Sequence, residues 1–492
     1  MRYLILFFTS LEIFICAACA PADNNARATT QNSPALETRV PTASVITPTK
    51  TRAPITSTPP ATATQIPPTA TATATRIPRP SPTPDGFPDT VEAWEQTVQA
   101  MLASGDAQNQ VNALWDKLTR AQRIPLTTQN GAVFLYRGDA ANVYWHGDFS
   151  YWQKPGSIPG QRVPGTDLWY GIAKFPQDSR VSYQIMLNDA QEILDPANPR
   201  RRNDGLDFNN VLTMPAFQIT DETKRRKEIP QGAVTDWIKF DSTVMGHPIN
   251  YQIYTPPNYD ALEKLPVLYV TDGERFAPDN IGAMNAVLDN LIAAKRITPV
   301  MAVYIDERDP HAPQNNRRVN DFLITPEKFA QFITQELVPA IDAQYRTNTS
   351  RDARVLVGAS YGGVFGTYAA LRYPDVFGNL AAFSPAYWVI ANPNGASADA
   401  ASGAQRMNDF ITRAYNCKSE AACPTSPQKI FYSSGIPGWD VGDLNPRAEA
   451  LRARGDLVQI FTTQEGHNWS TWGGLTDEML EYFFAAPRSN SP

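Results

Sequence analysis

Histidine and cysteine are scarce in this 492-residue chain, with four of each. Two of the cysteines fall near the start, leaving Cys417 and Cys423 in NCKSEAACPT with no histidine near them. A pair of that kind argues against a metal site, and no metal is expected. A basic excess is missing too: 43 Lys and Arg stand against 49 Asp and Glu, a formal charge of −6. Such a balance yields no dominant basic face, so a nucleic-acid partner is not expected. A long hydrophobic run is also lacking at the start of the chain. The apolar segments YLILFF and IFIC are interrupted by Glu12. They fall short of the ~20 residues a membrane span needs, which argues against a retained membrane helix.

That start fits an export signal instead: Arg2 supplies a positive charge, apolar residues follow, and small residues close it at AACA. Cys16-Ala17-Ala18-Cys19 resembles a lipobox, which would leave Cys19 diacylated, although Cys16 stands where an aliphatic residue is usual. Ala18-Cys19-Ala20 also fits the A-x-A rule for release as a soluble protein. The expectation is a signal over residues 1–20 and a protein anchored by lipid on the extracytoplasmic side of a bacterial cell envelope, or otherwise secreted. Its membrane contact would be the lipid alone. In that setting Cys417 and Cys423 are expected to form a disulfide, with two free thiols as the alternative.

Most of the surplus among the 42 prolines lies before residue 90. Residues 21–87, dominated by Thr, Pro and Ala, cannot bury apolar area and read as an extended, disordered linker. Globular composition begins at Asp89. TVEAWEQTVQAMLASG and QVNALWDKLTRAQ space apolar residues three and four apart, predicting two helices. The alternating runs AVFLYRG, ANVYWHGDFSYW, LWYGIAKF and RVSYQIMLND then predict a small β-sandwich, giving a unit over 88–220. Tyr144, Trp145, Tyr151 and Trp152 belong to its core and rim or, alternatively, form a ligand platform. From about residue 233, INYQIYTPP, LPVLYVTDG, VMAVYID, RVLVGAS, LAAFSP and KIFYSSG alternate with helical stretches to residue 487. Several of these strands are continuously apolar, as strands covered on both faces must be. The second unit, 233–487, is therefore an α/β fold with a mostly parallel sheet and helices on both faces.

Chemistry concentrates around VLVGASYGGVFG, residues 355–366. A strand, Gly358-Ala359-Ser360-Tyr361-Gly362 and a helix make the G-x-S-x-G turn, whose sharpness demands small neighbours and presents the serine as a nucleophile. In that architecture the acid and base follow the serine in the chain. Of His146, His247, His311 and His467, only His467 follows Ser360, in QEGHNWSTWGG after the strand LVQIFTT. His311 sits in a polar loop where simple exposure explains it. KIFYSSGIPGWDVGDLNPRAEAL offers Asp440 as the acid that would orient the imidazole, with Asp443 as the alternative. Asp443 is also placed to cap the next helix. An oxyanion needs two backbone N–H groups; Tyr361 supplies one, and Gly273 or Glu274, after the strand LPVLYV, the other. Arg200 to Arg202 and Lys224 to Lys227 read as solvated surface charge rather than as an anion site.

YVTDGERF, VGASYGGVFGTYAALRYPDVFGNLAAFSPAYW and EGHNWSTW together resemble the esterase family that includes esterase D, enterochelin esterases and family 1 carbohydrate esterases. The resemblance covers roughly residues 235–487. It implies an α/β-hydrolase fold and cofactor-free ester hydrolysis by a triad of Ser360, Asp440 and His467. Tyr361 and the Asp272-Gly273-Glu274 turn would form the oxyanion hole. More weakly, the preceding sandwich resembles the N-terminal domain of enterochelin esterases and carbohydrate-binding immunoglobulin-like modules. The implied substrate is a small-molecule or carbohydrate-linked ester, either a siderophore-type lactone or an acyl group on polysaccharide. An acyltransferase on the same fold, or a non-catalytic surface binding protein, are the alternatives.

Overall fold

The structure is a computed structural model that describes residues 86–203, 208–391, 397–417, 427–435 and 444–487. The expected signal, Cys19 and nearly all of the linker lie outside the described residues, as do Cys423, Asp440 and Asp443.

The described chain opens with helices Val91–Ala103 and Ala107–Arg120. Thr90 caps the first by accepting from the Ala93 amide at 3.1 Å, one of the N-terminal donors a helix cannot satisfy itself. Trp94, Val98 and Met101 share its buried face, as three- and four-residue spacing requires. These helices lie on a four-stranded antiparallel sheet made of Leu126–Thr127, Ala132–Arg137, Leu168–Ala173 and Gln161–Arg162. In Ala132–Arg137, Val133 and Leu135 join Trp94 and Val98 under the helices. Ala132 and Phe134 point the other way, into a core with Trp145, Tyr183 and Leu212 of a second antiparallel sheet. Helical cover explains why AVF and Leu135 are all buried, whereas an uncovered sandwich face would carry polar residues at alternate positions. The aromatic cluster divides along the same lines. Trp145 is wholly buried core, while Tyr151 is 51% exposed.

The second half holds a nine-stranded sheet among the described residues. Five parallel pairings join Met301–Asp306, Val267–Val270, Arg354–Ala359, Asn379–Phe383, Lys429–Ser434 and Leu457–Thr462 in that spatial order. Ala233–Val234, Ile238–Asp241 and Pro248–Thr255 add an antiparallel edge. Val267–Val270 and Arg354–Ala359 are buried at every position. Alternating side chains explain the apolar runs: Leu356 enters one helical layer with Phe329 and Phe365, and Val355 and Val357 enter the other with Leu288 and Met479.

One buried group makes the stability of this half sensitive to pH. Asp321 is 1% exposed, packed beside the apolar layer that holds Phe322, and burial pushes its carboxyl up to about 7. Its hydrogen bond from Asn320, 3.3 Å, and the nearby Arg317 charge pull the other way and are outweighed. A carboxyl raised in the folded state contributes stability below its unfolded value, and that contribution is lost as pH rises through 7. The loss has a limiting slope of about 1.4 kcal/mol per pH unit. The advantage of Asp321→Asn over wild type in melting temperature should therefore be larger at pH 8.5 than at pH 5. Thermal melts across that range check this, and parallel curves for the two proteins would contradict it.

Candidate active site

Ser360 follows Arg354–Ala359 and precedes the helix Tyr361–Arg372, at the end of the parallel strands where loops gather. Its φ of 56° and ψ of −115° are unusual for a residue with a Cβ, a geometry that costs on the order of 1–3 kcal/mol and must be held by its surroundings. The Ser360 amide donates to Phe383 O at 2.9 Å, and its carbonyl accepts from Val364 at 3.1 Å and Ala386 at 3.1 Å. The turn is also crowded. A Cβ on Gly358 would collide with the Gly362 carbonyl, and one on Gly362 would lie 2.8 Å from Thr271 Oγ1. Position 358 therefore requires glycine, and a side chain at 362 would have to displace Thr271.

His467 Nε2 lies 2.9 Å from Ser360 Oγ, across a sequence separation of 107 residues. The ring stands edge-on to Trp472 at 5.0 Å, and Trp472 Nε1 donates to Ser384 Oγ at 3.0 Å. Asn468 starts the helix Trp469–Gly474 by accepting from the Ser470 and Thr471 amides, each at 3.1 Å. The other histidines lie elsewhere. His311 is exposed, His146 is buried in the N-terminal half, and His247 Nδ1 sits 2.8 Å from Arg317 Nη1.

Asp440 and Asp443, outside the described residues, fall between Lys429–Ser434 and the helix Asn445–Ala453. The N-cap of that helix is Leu444, which brings no side-chain acceptor. The cap position expected for Asp443 is therefore one residue further on. A disulfide between Cys417 and Cys423 likewise involves a residue outside the described set.

Tyr361 opens the serine's helix, and Gly273 and Glu274 open a short helix after Val267–Val270. A Cβ on Gly273 would sit 2.6 Å from Tyr304 Cβ, so the chain passes there only as glycine. The turn is braced by residues that no local motif revealed. Arg318 Nε donates to Asp272 Oδ1 at 2.6 Å, its Nη2 donates to Ala359 O at 3.0 Å, and its guanidinium covers the Tyr361 ring at 5.0 Å. The Asp272 amide donates to Glu307 Oε2 at 3.0 Å. Asp272 is left-handed at φ 53°, so Arg318 and Glu307 together hold a backbone that the residue alone disfavours. The Glu274 side chain is buried as well. Desolvation first, then the Asp272 and Asp306 charges, push its carboxyl up to about 7. Arg318 and Glu307 become visible only through the fold, because 35 to 46 residues separate them from the turn they hold.

Residues 242–456 match the model of the Esterase family, described as "Putative esterase". Among curated proteins, the chain is 24% identical over 328 residues to an endo-1,4-beta-xylanase/feruloyl esterase of Xylanibacter ruminicola, a match covering 64% of this chain and 40% of that protein. It is 25% identical over 358 residues to the iron(III) enterobactin esterase of Dickeya dadantii, covering 64% and 77%. Among solved structures, the ferric enterobactin esterase of Salmonella typhimurium superposes with a TM-score of 0.56 at 19% identity, over 72% of this chain and 93% of that one. The Shigella flexneri enterobactin esterase, crystallised in the presence of enterobactin, gives 0.53 at 22% identity, over 72% and 92%. Similarity at that level speaks for the fold. Together with the family match over residues 242–456, it supports an esterase of the α/β-hydrolase type.

Proposed function

We propose that the protein is an exported serine esterase that cleaves carboxylic esters through an acyl-enzyme. The observation that carries this reading is the 2.9 Å approach of His467 Nε2 to Ser360 Oγ on a strained strand-to-helix turn. In this mechanism Ser360 Oγ attacks the ester carbonyl carbon while His467 Nε2 accepts its proton. The resulting oxyanion is held by the Tyr361 amide and by the amide of Gly273 or Glu274. Collapse breaks the C–O bond, and His467 returns the proton to the departing alkoxide. A water deprotonated by His467 then attacks the acyl-enzyme, releasing the carboxylic acid and restoring Ser360. Asp440, or alternatively Asp443, holds the imidazole in the required tautomer and stabilises the imidazolium.

The named relatives suggest the substrate range. One is an iron(III) enterobactin esterase and another contains a feruloyl esterase, so siderophore-type lactones and acylated polysaccharide are the two classes to test. Incubation of the full chain with a fluorophosphonate, followed by peptide mass spectrometry, should find the adduct on Ser360. A panel of both ester classes then selects the substrate. Labelling confined to another serine would overturn the reading.

Three further assignments belong to this proposal: an immunoglobulin-like sandwich in the region 88–220, a disordered linker before it, and a Cys417–Cys423 disulfide. So does the lipid anchor at Cys19. Expressed in a bacterium with lipoprotein processing, the wild type should fractionate with membranes, and Cys19→Ser should be soluble or unprocessed. Equal release of both into the medium would favour cleavage after Ala20.

A further inference from the structure

We infer that the N-terminal half is part of the catalytic scaffold, with Asp148 and Arg180 acting as positioning residues that hold loop 464–468, and hence His467, against Ser360. This rests on the serine-esterase reading above. After Leu457–Thr462 the Thr463 amide still donates to Ser434 O of the large sheet at 3.0 Å, and the next backbone partner belongs to the N-terminal half. The Arg180 amide donates to Gln464 O at 3.0 Å, and residues 180 and 465 form an isolated parallel bridge. The side chains repeat the connection. Arg180 Nε donates to Glu465 Oε1 at 2.8 Å, and Nη2 reaches the same carboxylate and Ser470 O at 3.3 Å. Both members of this ion pair are shielded from water, at 8% and 7% side-chain exposure. The guanidinium lies over the Phe217 ring at 4.6 Å.

The other side of His467 is held in the same way. Asp148 Oδ2 accepts from Asn468 Nδ2 at 3.0 Å and from the Ser182 amide at 2.8 Å, and Oδ1 accepts from Trp152 Nε1 at 3.3 Å. Asn468 is thus fixed at both ends of its side chain, since its Oδ1 caps the helix Trp469–Gly474. Between these anchors, Gly466 leaves no space: a Cβ there would collide with the Asp148 carboxyl group. Glu465, Gly466 and Asn468 are all set by groups from the N-terminal half, and they flank the residue whose ring must meet Ser360. A purely apolar contact would join the halves without fixing a direction. These buried, charged hydrogen bonds fix both direction and distance, and a misplacement of about 1 Å at a catalytic group can cost 10²-fold in rate.

The test uses the full chain carrying Asp148→Asn, which is nearly isosteric, Arg180→Met and Arg180→Lys. Arg137→Met is the control; it breaks the 2.9 Å Arg137–Asp167 pair, which does not contact loop 464–468. Three quantities are read: melting temperature, kcat and KM on a p-nitrophenyl ester, and the rate of fluorophosphonate labelling at Ser360. In Asp148→Asn and Arg180→Met, kcat and the labelling rate should fall together by roughly 10- to 100-fold with KM within about twofold. Arg180→Lys should recover part of the loss, and Arg137→Met should label at the wild-type rate. If Arg180→Met does not fold, Asp148→Asn decides. Wild-type labelling and kcat in Asp148→Asn, with or without a lower melting temperature, would reduce the contact to a structural one. A wild type that fails to label at Ser360 would instead remove the esterase reading itself, and this proposal with it.

Discussion

Ser360→Ala should lower turnover by about 10⁶-fold, the scale reached when the serine of a serine hydrolase is removed. Ester hydrolysis by purified protein measures it, with fluorophosphonate labelling as an independent readout. The size follows from the chemistry: without Oγ no acyl-enzyme forms, and His467 faces a methyl group where the hydroxyl stood 2.9 Å away. Stability should respond very differently. Three backbone hydrogen bonds at residue 360 survive the change, so the variant should fold and melt near wild type. Because φ is 56° there, Ser360→Gly should also be inactive yet melt no lower than Ser360→Ala, the relief of strain offsetting glycine's greater entropy cost. Retained stoichiometric labelling of Ser360→Ala would identify a different nucleophile.

Asp440→Asn should lose at least about two orders of magnitude in turnover with little change in melting temperature. The corresponding change in a serine protease costs about 10⁴, because the amide favours the wrong imidazole tautomer. Asp443→Ala should retain most activity. The helix that follows begins at Asn445 with Leu444 at its cap position, so Asp443 is one residue away from the place where an N-cap side chain contributes roughly 0.5–2 kcal/mol. Kinetics and melts on both variants separate the roles. The opposite pattern would make Asp443 the acid, and full activity in both would leave Ser360 and His467 working as a dyad.

Where a local pattern has a local cause, the chain could be read directly. Glycines were expected around Ser360 because strand and helix meet at that turn, and the crowding at Gly358 and Gly362 is the physical reason. Continuous apolar strands such as Val267–Val270 implied cover on both faces, and two helical layers supply it. Chain order left His467 as the one histidine after Ser360. The strand Ala132–Arg137 was harder to read. Its inward and outward residues are both buried because two helices, predicted separately, pack on its second face.

The sequence by itself determined the α/β class of the second half and the turn at Ser360, since each depends on neighbours within a few residues, and chain order alone left His467 after that serine. Tertiary structure alone decided what surrounds them. Arg318 reaches Asp272 across 46 residues, Arg180 reaches Glu465 across 285, and Asp148 reaches Asn468 across 320. A buried ion pair leaves no periodicity in the chain, because its two charges need only be close in space. Each residue alone is indistinguishable from the solvated charges that make up most of a protein surface, and only folding removes the water that would otherwise make the pairing weak.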